Sequence, residues 1–329
     1  AALGLVKSNI SEYLNGEVVF FAVPAEEFVE IEYRLELVRS GKTSFLAGKP
    51  ELVKLGHFDD IDMAIMIHSS STESIEGSMG LAASSNGFIA KTVNFTGRAA
   101  HAGVAPEKGI NALSAAQLSL SAIDAQRSTF RDKDCVRVHP IITKGGSIVN
   151  IIPSEVLMET YIRAKTADGI LDAERKVDRA FRGAAIAMGC EVKIETVPGY
   201  MPLANSPGLA TLFRANTEMI FGKEKYKDYP HSGGSTDAGD LSQIMPVLHP
   251  SMTGAAGTIH GKDWKIEDQY SGYIAPAKTL AMMAIDLLCD GHARCILDQE
   301  TPVMSRDAYL RLQHECFRSE SYNAEGKML

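Results

Sequence analysis

The strongest constraint on the fold lies in residues 86–198, where the apolar residues alternate between two spacings. A two-residue spacing predicts strands at four places, and a helical spacing predicts helices at two. The order strand, helix, strand, strand, helix, strand is that of the ferredoxin-like split βαβ arrangement. The predicted strands are 88–96, 135–143, 148–162 and 190–197, and the predicted helices are 107–126 and 167–188. A complete unit in the middle of a chain predicts a domain inserted into another domain.

Apolar runs on either side of this unit predict the host domain. Residues 18–23 and 62–67 are continuous apolar runs, which are typical of strands buried on both faces. A helix-prone stretch separates them, so that the order predicts a parallel or mixed sheet covered by helices. The predicted fold class is α/β, with a mixed-sheet domain interrupted by an α+β domain. The predicted limits are 1–85 and 199–329 for the two parts of the host domain and 86–198 for the insert.

The composition argues against several classes of function. Lys and Arg number 33 against 41 Asp and Glu, a net charge of −8, which gives no attraction to nucleic acid or to an anionic membrane surface. The five cysteines form no Cys-x-x-Cys pair, so we expect neither a zinc knuckle nor a disulfide framework. No apolar run approaches the ~18 residues of a membrane span, and no signal peptide is recognisable. We therefore expect a cytoplasmic protein without nucleic-acid or membrane partners.

Acidic and imidazole side chains follow the two predicted strands of the host domain. Glu26 and Glu27 come after the first strand, and His68 comes after the second. Catalytic groups in open α/β sheets collect at the carboxyl ends of strands. Two adjacent glutamates point in different directions, so that one can bind a metal while the other faces a reacting water. The alternative interpretations are a solvated acidic loop and a structural histidine.

Further candidates lie in loops and inside an apolar strand. His260 belongs to the glycine-rich loop 254–261, which either allows close approach of a ligand or forms ordinary turns. His101 follows the first strand of the insert and could donate a hydrogen bond to an oxyanion. Asn150 lies in an apolar run and needs a partner, and the guanidinium of Arg163 suits a carboxylate.

The small-residue loop 231–240 runs into a predicted helix, with Asp237 or Asp240 near the first turn. An aspartate at that position is a good helix cap. The loop has no Gly-Lys-Ser/Thr sequence, which a phosphate-binding P-loop requires. Nucleotide or phosphate binding is therefore the least favoured alternative.

The order of these motifs resembles the M20 family of metallopeptidases, in particular the aminobenzoyl-glutamate, auxin-conjugate and aminoacylase-like amidohydrolases. The matching stretches are 23–27, 56–62 leading to His68, 97–102, 150–153, 234–240 and 257–261. The resemblance implies a di-metal hydrolase domain with an inserted ferredoxin-like lid domain that also mediates homodimer formation. It implies hydrolysis of the amide bond of a small N-acylated amino acid or dipeptide.

The resemblance also implies roles for seven residues and a cofactor. Glu26 is the general base, Glu27, His68 and His260 are metal ligands, His101 meets the oxyanion, and Asn150 and Arg163 hold polar groups of the substrate. The cofactor is a pair of divalent metal ions, with Mn or Zn expected first because carboxylate and imidazole ligands suit both.

One departure from the family pattern concerns the metal ligands. The amidohydrolases have two more ligands in a Cys-x-His motif upstream, whereas the residues before Glu26 contain neither Cys nor His. Three ligands hold one catalytic zinc but are too few for two metals. The chain also begins without Met and without a helix cap, so we expect that an N-terminal segment is missing.

Two alternatives remain open on the sequence alone. The first is a metal-free, catalytically inactive relative that acts as a binding or assembly protein. The second is a peptidase or deacetylase of the same fold that acts on larger substrates.

Overall fold

A computed structural model describes residues 1–71, 77–289 and 291–329. Its helices are α1 (Ala2–Lys7), α2 (Ile31–Arg39), α3 (Gly48–Lys54), α4 (Ala112–Gln126), α5 (Ala167–Met188), α6 (Pro207–Phe221), α7 (Ala238–Leu241), α8 (Ala275–Cys289), α9 (His292–Gln299) and α10 (Arg306–Glu315). Its strands are β1 (Ala64–Ile65), β2 (His68–Ser71), β3 (Met79–Ser85), β4 (Gly87–Thr96), β5 (Arg137–Val138), β6 (Ile141–Lys144), β7 (Glu155–Ala164), β8 (Glu191–Pro198), β9 (Leu203–Ala204), β10 (Tyr226–Ser232), β11 (Val247–Leu248), β12 (Ser251–Ala256), β13 (Lys265–Ile266) and β14 (Arg318–Tyr322).

The chain forms two compact units. The first unit contains residues 1–85 and 203–306, and the second contains 86–202 and 307–329. The sequence pattern places 307–329 together with the rest of 199–329, whereas the structure groups these residues with the second unit. The predicted domain limits stay a prediction.

The second unit is an antiparallel sheet with α4 and α5 packed on one face. The strand order is β14-β8-β4-β7-β5, and β6 also pairs with β7. The central order β8-β4-β7-β6 is that of a split βαβ unit, which confirms the predicted ferredoxin-like arrangement. The core between sheet and helices is apolar and includes Val93, Phe95, Met158, Val177 and Phe181.

The sequence determines both ends of α5. Thr166 is the N-cap, and its hydroxyl accepts a hydrogen bond from the N–H of Gly169 at 3.0 Å. Gly189 ends the helix with φ 71°, a left-handed conformation that glycine adopts without strain. Ile170, Val177 and Phe181 are buried. The helix therefore begins and ends where the capping residues place it.

One predicted strand of the second unit begins later than expected. The apolar run 148–162 gives a strand only from Glu155 onward. Pro153 cannot donate a backbone hydrogen bond, which interrupts strand pairing at that point. Residues 150–152 pair instead with the loop at 100–102.

The first unit contains a mixed sheet, as the fold class predicts. Strand β10 is parallel to β3, and β12 is antiparallel to β3 and parallel to β2. A separate parallel pair joins β1 to β11. The buried core includes Met79, Leu209, Phe213, Leu248 and Met283.

The prediction of a buried strand at 18–23 is wrong. These residues form no strand, and Phe20 is 84% exposed. A strand buried on both faces needs neighbouring strands and covering layers, and none of the described residues pairs with this run. Phe21 instead stacks on Phe58, with ring centroids 4.6 Å apart.

The second predicted strand of the host domain is shorter than expected. Only Ala64–Ile65 form a strand within 62–67, and His68 is the first residue of β2. The chain changes pairing partner here, because β1 pairs with β11 and β2 pairs with β12. His68 therefore begins a strand, whereas the apolar run predicts that it follows one.

One described helix, Tyr270–Cys289, is long and apolar enough to cross a membrane by length and composition. The expectation that no segment reaches that length is wrong, because the helix combines a π-helical turn with α8. Met283 and Leu287 of α8 are buried in the core of the first unit. A core helix passes the same test of length and composition, so this is weak evidence for a membrane span.

Replacing Phe181 by Ala tests the core of the second unit. Phe181 is fully buried and lies edge-on to Phe95, with centroids 6.3 Å apart. We expect Phe181→Ala to lower the opening free energy by about 3–5 kcal/mol, because transfer and cavity costs add. Native-state hydrogen exchange of α5 and β4 amides measures it. The control is Arg179→Ala, an exposed position on the same helix; equal protection in both variants would contradict the packing described.

Candidate active site

The segment that carries Glu26 and Glu27 is held against the start of α3. The N–H of Gly48 donates to the carbonyl of Ala25 at 3.3 Å. A Cβ at Gly48 would lie 1.9 Å from the carbonyl oxygen of Pro24, so this position requires glycine. Ala25 itself turns the chain with φ 58°. The two glutamates therefore leave a tight turn and not the end of a strand.

Glu26 contacts the small-residue loop 231–240. The Thr236 hydroxyl donates to Oε1 of Glu26 at 3.2 Å. The same hydroxyl accepts a hydrogen bond from the N–H of Ala238 at 3.3 Å, at the start of α7. The loop, whose role the sequence left open, thus fixes one carboxylate oxygen of Glu26.

A buried ion pair lies directly behind this contact. Lys49 Nζ binds the carboxylate of Asp237, and the side chain of Asp237 has no exposed surface. The backbone N–H of Lys49 is 3.4 Å from Oδ2 of the same carboxylate. Burial raises the pKa of Asp237 to about 6; Lys49 lowers this pKa, and the neighbouring charge of Glu26 raises it.

The sequence patterns did not single out Lys49 and indicated Asp237 only as a helix cap. The available signal was a lysine in the stretch 45–50, Phe-Leu-Ala-Gly-Lys-Pro, which is otherwise apolar. A lysine in such a stretch needs a buried partner. The identity of that partner could not be derived, because Asp237 is far away in the sequence.

Glu27 and His260, two of the predicted metal ligands, lie side by side. His260 Nδ1 is 3.6 Å from Oε1 of Glu27, and both side chains are more than half exposed. His260 has φ 62° in its loop, and Gly257 has φ 93°. A Cβ at Gly257 would approach the carbonyl oxygen of Asp263 to 2.5 Å, so the loop requires glycine there.

His68, the third predicted ligand, contacts a different histidine. Its ring centroid is 5.9 Å from that of His249, and its backbone N–H donates to the carbonyl of Pro250 at 2.9 Å. Burial lowers the pKa of His249 to about 3, with smaller contributions from His68 and Lys49. Among the described residues, Nε2 of His249 has no hydrogen-bond partner. No sequence pattern singled out His249.

The described residues do not assemble a metal site on their own. Across 1–71, 77–289 and 291–329, no group of three or more His, Cys, Asp or Glu side chains is arranged to hold a metal ion. A catalytic zinc needs three protein ligands, and the Glu27–His260 pair supplies two. The ligand set of Glu27, His68 and His260 stays a prediction.

In the second unit, the ring of His101 is oriented by its own loop. Nδ1 accepts hydrogen bonds from the N–H groups of Gly103 and Val104, both at 3.2 Å. In the neutral imidazole the proton therefore resides on Nε2, which is the donor. The backbone of His101 also bridges to Ile151, and the N–H of Ala102 donates to the carbonyl of Asn150 at 2.9 Å.

The structure thus brings His101 and Asn150 into adjacent loops. Asn150 is exposed in a turn, so the expectation of a polar residue inside an apolar strand is wrong. The cause is the late start of β7, which leaves residue 150 outside the sheet.

Arg163 lies on β7 among aromatic rings. Its guanidinium carbon is 5.0 Å from the ring centroid of Phe88 and 5.5 Å from that of Tyr161. Its Nε donates to Nε2 of His139 at 3.2 Å. A guanidinium that packs against aromatic rings is suited to binding a planar anion, but the substrate-binding role of Arg163 stays a prediction.

A family model and curated relatives match this chain. The model described as the peptidase dimerisation domain of M20 matches residues 84–187. The Xaa-Arg dipeptidase of Mus musculus is 30% identical over 73% of this chain and 56% of its own length. The indole-3-acetyl-aspartic acid hydrolase of Enterobacter agglomerans is 30% identical over 58% of this chain and 44% of its own length. The chain spans about half the length of the curated relatives it matches.

Solved structures share the fold. A protein of methicillin-resistant Staphylococcus aureus described as an aminohydrolase has a TM-score of 0.68 at 19% identity, over 87% of this chain and 70% of that one. A Bacillus subtilis dinuclear metal-binding peptidase of the M20 family has a TM-score of 0.57 at 14% identity, over 75% of this chain and 63% of that one. The split βαβ unit and the family match agree, and residues 84–187 belong to the peptidase dimerisation domain of the M20 family. The curated relatives and solved structures extend the similarity beyond this domain.

Proposed function

We propose that this chain is part of a metal-dependent amidohydrolase that cleaves the amide bond of a small N-acylated amino acid or a dipeptide. One observation carries the proposal: the two adjacent glutamates have separate partners. Glu26 is held by Thr236, while Glu27 faces His260. One carboxylate is thereby available for proton transfer and the other for a metal. The relatives described as dipeptidase, hydrolase and deacetylase support this class of reaction.

The proposed chemistry adds water across the amide bond and releases a carboxylate and an amine. Glu26 removes a proton from the attacking water and passes it to the leaving nitrogen. The Nε2–H of His101 is a donor suited to the oxygen that gains negative charge, and Arg163 to a substrate carboxylate. Asn150, in the loop beside His101, is proposed to bind a polar group of the substrate.

The proposed cofactor is a pair of divalent ions, with Mn or Zn preferred. When bound, such ions polarise the scissile carbonyl and acidify water. Glu27 and His260 are the proposed ligands that already lie together, and His68 is proposed as the third. The remaining ligands have to come from outside the described side chains, so no catalytic step is assigned to the metals.

A second candidate function follows from the incomplete ligand set. A metal-free relative acting as a binding or assembly protein would keep the dimerisation domain, and the absence of a three-ligand group among the described residues favours it. The amidohydrolase proposal requires turnover of a dipeptide or N-acyl amino acid, whereas the second candidate requires none.

The cytoplasm is the proposed compartment, because all five cysteines are free thiols.

We propose that the partner is a second copy of the chain, bound along β6. All four residues of β6 are exposed, and β6 pairs with β7 on one side only within the described chain. Ile141 is 59% exposed, and Val149 beyond the following turn is fully exposed. An exposed apolar edge strand favours pairing with another strand, and a two-fold axis lets the same edge serve both copies.

Glu26→Gln tests the general base. We expect kcat for dipeptide hydrolysis to fall by about 10²–10⁴-fold, because the amide cannot accept the proton. Thr236 can still donate to the amide oxygen, so the unfolding midpoint should stay within error of the wild type. The control is Glu32→Gln, an exposed glutamate on α2. Wild-type turnover by Glu26→Gln would remove Glu26 from the mechanism.

Lys49→Met tests the buried pair that holds the loop behind Glu26. We expect a loss of about 3–5 kcal/mol in the free energy of unfolding at pH 8, since Asp237 keeps a buried charge without a cation. Burial raises the pKa of Asp237 to about 6, above its ordinary value, so the folded state binds the carboxyl proton of Asp237 more tightly than the unfolded state does. The stability that this proton contributes is therefore greatest at low pH and is lost as the pH rises through about 6.

The loss of unfolding free energy in Lys49→Met should be smaller at pH 5 than at pH 8, because Asp237 is protonated more at the lower pH. Adding Asp237→Asn to Lys49→Met should recover part of this free energy, in a double-mutant cycle measured by denaturant unfolding. The control is Lys54→Met, an exposed lysine on the same helix. Equal losses at both pH values, or no recovery in the double variant, would contradict a charged buried pair.

Ile141→Glu tests the β6 interface. Charge on an edge strand opposes pairing, and we expect the dimer dissociation constant from analytical ultracentrifugation to rise at least tenfold. The control is Met219→Glu, a position on α6 that is 78% exposed. An unchanged dimer in Ile141→Glu, with the control also unchanged, would place the interface elsewhere.

A further inference from the structure

The outer edge of β8 is filled by a strand from the far end of the chain. Strand β14 pairs with β8 in antiparallel register from Arg318 opposite Thr196 to Tyr322 opposite Val192. The match to the dimerisation domain covers 84–187 and includes neither strand. The segment 317–329, called the C-terminal segment below, therefore adds a strand to the sheet at the edge opposite β6.

A buried charge cluster selects a cation at the first position of this strand. Lys91 Nζ binds Glu174 at 3.0 Å, Asp178 at 3.1 Å and the hydroxyl of Thr196 at 2.6 Å. The Lys91 side chain is fully buried, and that of Glu174 is 3% exposed. Two carboxylates against one ammonium leave one negative charge in excess. The guanidinium of Arg318 binds Glu174 and balances it.

A second contact selects an aromatic side chain four positions later. Residues 318, 320 and 322 share one face of the strand because side chains alternate. Tyr322 is 6% exposed within the apolar core of the second unit. The guanidinium carbon of Arg182 lies 4.3 Å from its ring centroid, a distance typical of a cation–π contact.

The chain then turns back and covers the free edge of β14. Gly326 has φ 79°, and Tyr322 pairs with Met328 in an isolated bridge. The N–H of Leu329 donates to the carbonyl of Ser321 at 2.8 Å. The backbone groups that β14 would offer to another strand are thereby partly used, which is a recognised way to protect a sheet edge.

We propose that the β8 edge, with Glu174 and Arg182, is a binding site for an extended peptide that carries a basic residue four positions before an aromatic one. In this chain the site is occupied by the C-terminal segment, which closes the β8 edge and confines pairing between copies to β6. The peptide specificity follows from the charge cluster and from the contact with Arg182; only the confinement to β6 rests on the proposed dimer. Main-chain pairing supplies affinity and the two side-chain positions supply selectivity, as in other strand-addition sites.

The test uses the chain truncated after Cys316 and a fluorescent peptide of residues 317–329. We expect saturable binding with one peptide per chain by fluorescence anisotropy. A peptide with Arg318→Glu should bind at least tenfold more weakly, and one with Arg318→Lys should lie between them, since it keeps the charge but not the fork. Equal binding of the Arg and Glu peptides, or no binding by a folded truncated chain, would overturn the proposed site.

Ultracentrifugation of the truncated chain tests the closure of the edge. We expect assemblies larger than those of the full chain, and return to the full-chain size when the peptide is added. In an Ile141→Glu background, truncation should restore association through β8. A truncated chain of full-chain size would overturn the confinement, while peptide binding reports on the site even if the β6 dimer is wrong.

The full chain with Arg318→Glu covers the case in which truncation prevents folding. We expect the amides of β8 to exchange at least tenfold faster than in the wild type, with those of β7 unchanged. Unchanged protection of β8 would overturn the proposal. Glu325→Gln, an exposed position of the same segment, is the matched control.

Discussion

The buried pair of Lys49 and Asp237 is the interaction on which the candidate site depends. It ties the start of α3 to the loop before α7, and each of these elements contacts the glutamate segment. Gly48 lets the backbone of the segment approach, and Thr236 fixes the carboxylate of Glu26. Three stretches distant in sequence are joined through one desolvated charge pair. Because breaking such a pair leaves an uncompensated charge, this arrangement is expected to be intolerant of change at either residue.

The same physical logic recurs in the second unit, where Lys91 is buried with two carboxylates. There the charges do not balance until Arg318 is added from β14. A buried excess charge is costly, so the cation of Arg318 stabilises the pairing of this particular segment with the sheet. The ferredoxin-like core requires only β4, β6, β7 and β8. The added strand β14 is held by the ion pair of Arg318 as well as by backbone pairing with β8.

Local patterns predicted the strands and helices within 86–198 well because most of these elements have a regular apolar spacing. The alternation at 88–96 and the helical spacing at 167–188 predicted a strand and a helix close to those observed. The run 18–23 misled because apolar composition was taken as evidence of burial, whereas burial depends on neighbours that the pattern cannot reveal.

The candidate site was predictable only in part. Glu27 and His260 both lie in recognisable motifs, and their side chains are 3.6 Å apart; their role as metal ligands stays a prediction. Lys49 and His249 were missed. Lys49 contacts Asp237, which is 188 positions away, and the ring of His249 contacts that of His68. Long-range partners of this kind leave no periodic signal in a single sequence.

The most direct test of the central claim is release of free amino acid from dipeptides and N-acyl amino acids before and after chelation. We expect hydrolysis of at least one substrate, its loss after chelator treatment, and its return on adding Mn or Zn. Hydrolysis that survives complete removal of metal, or no hydrolysis of any substrate with both metals present, would contradict the proposal that this chain is part of a metal-dependent amidohydrolase.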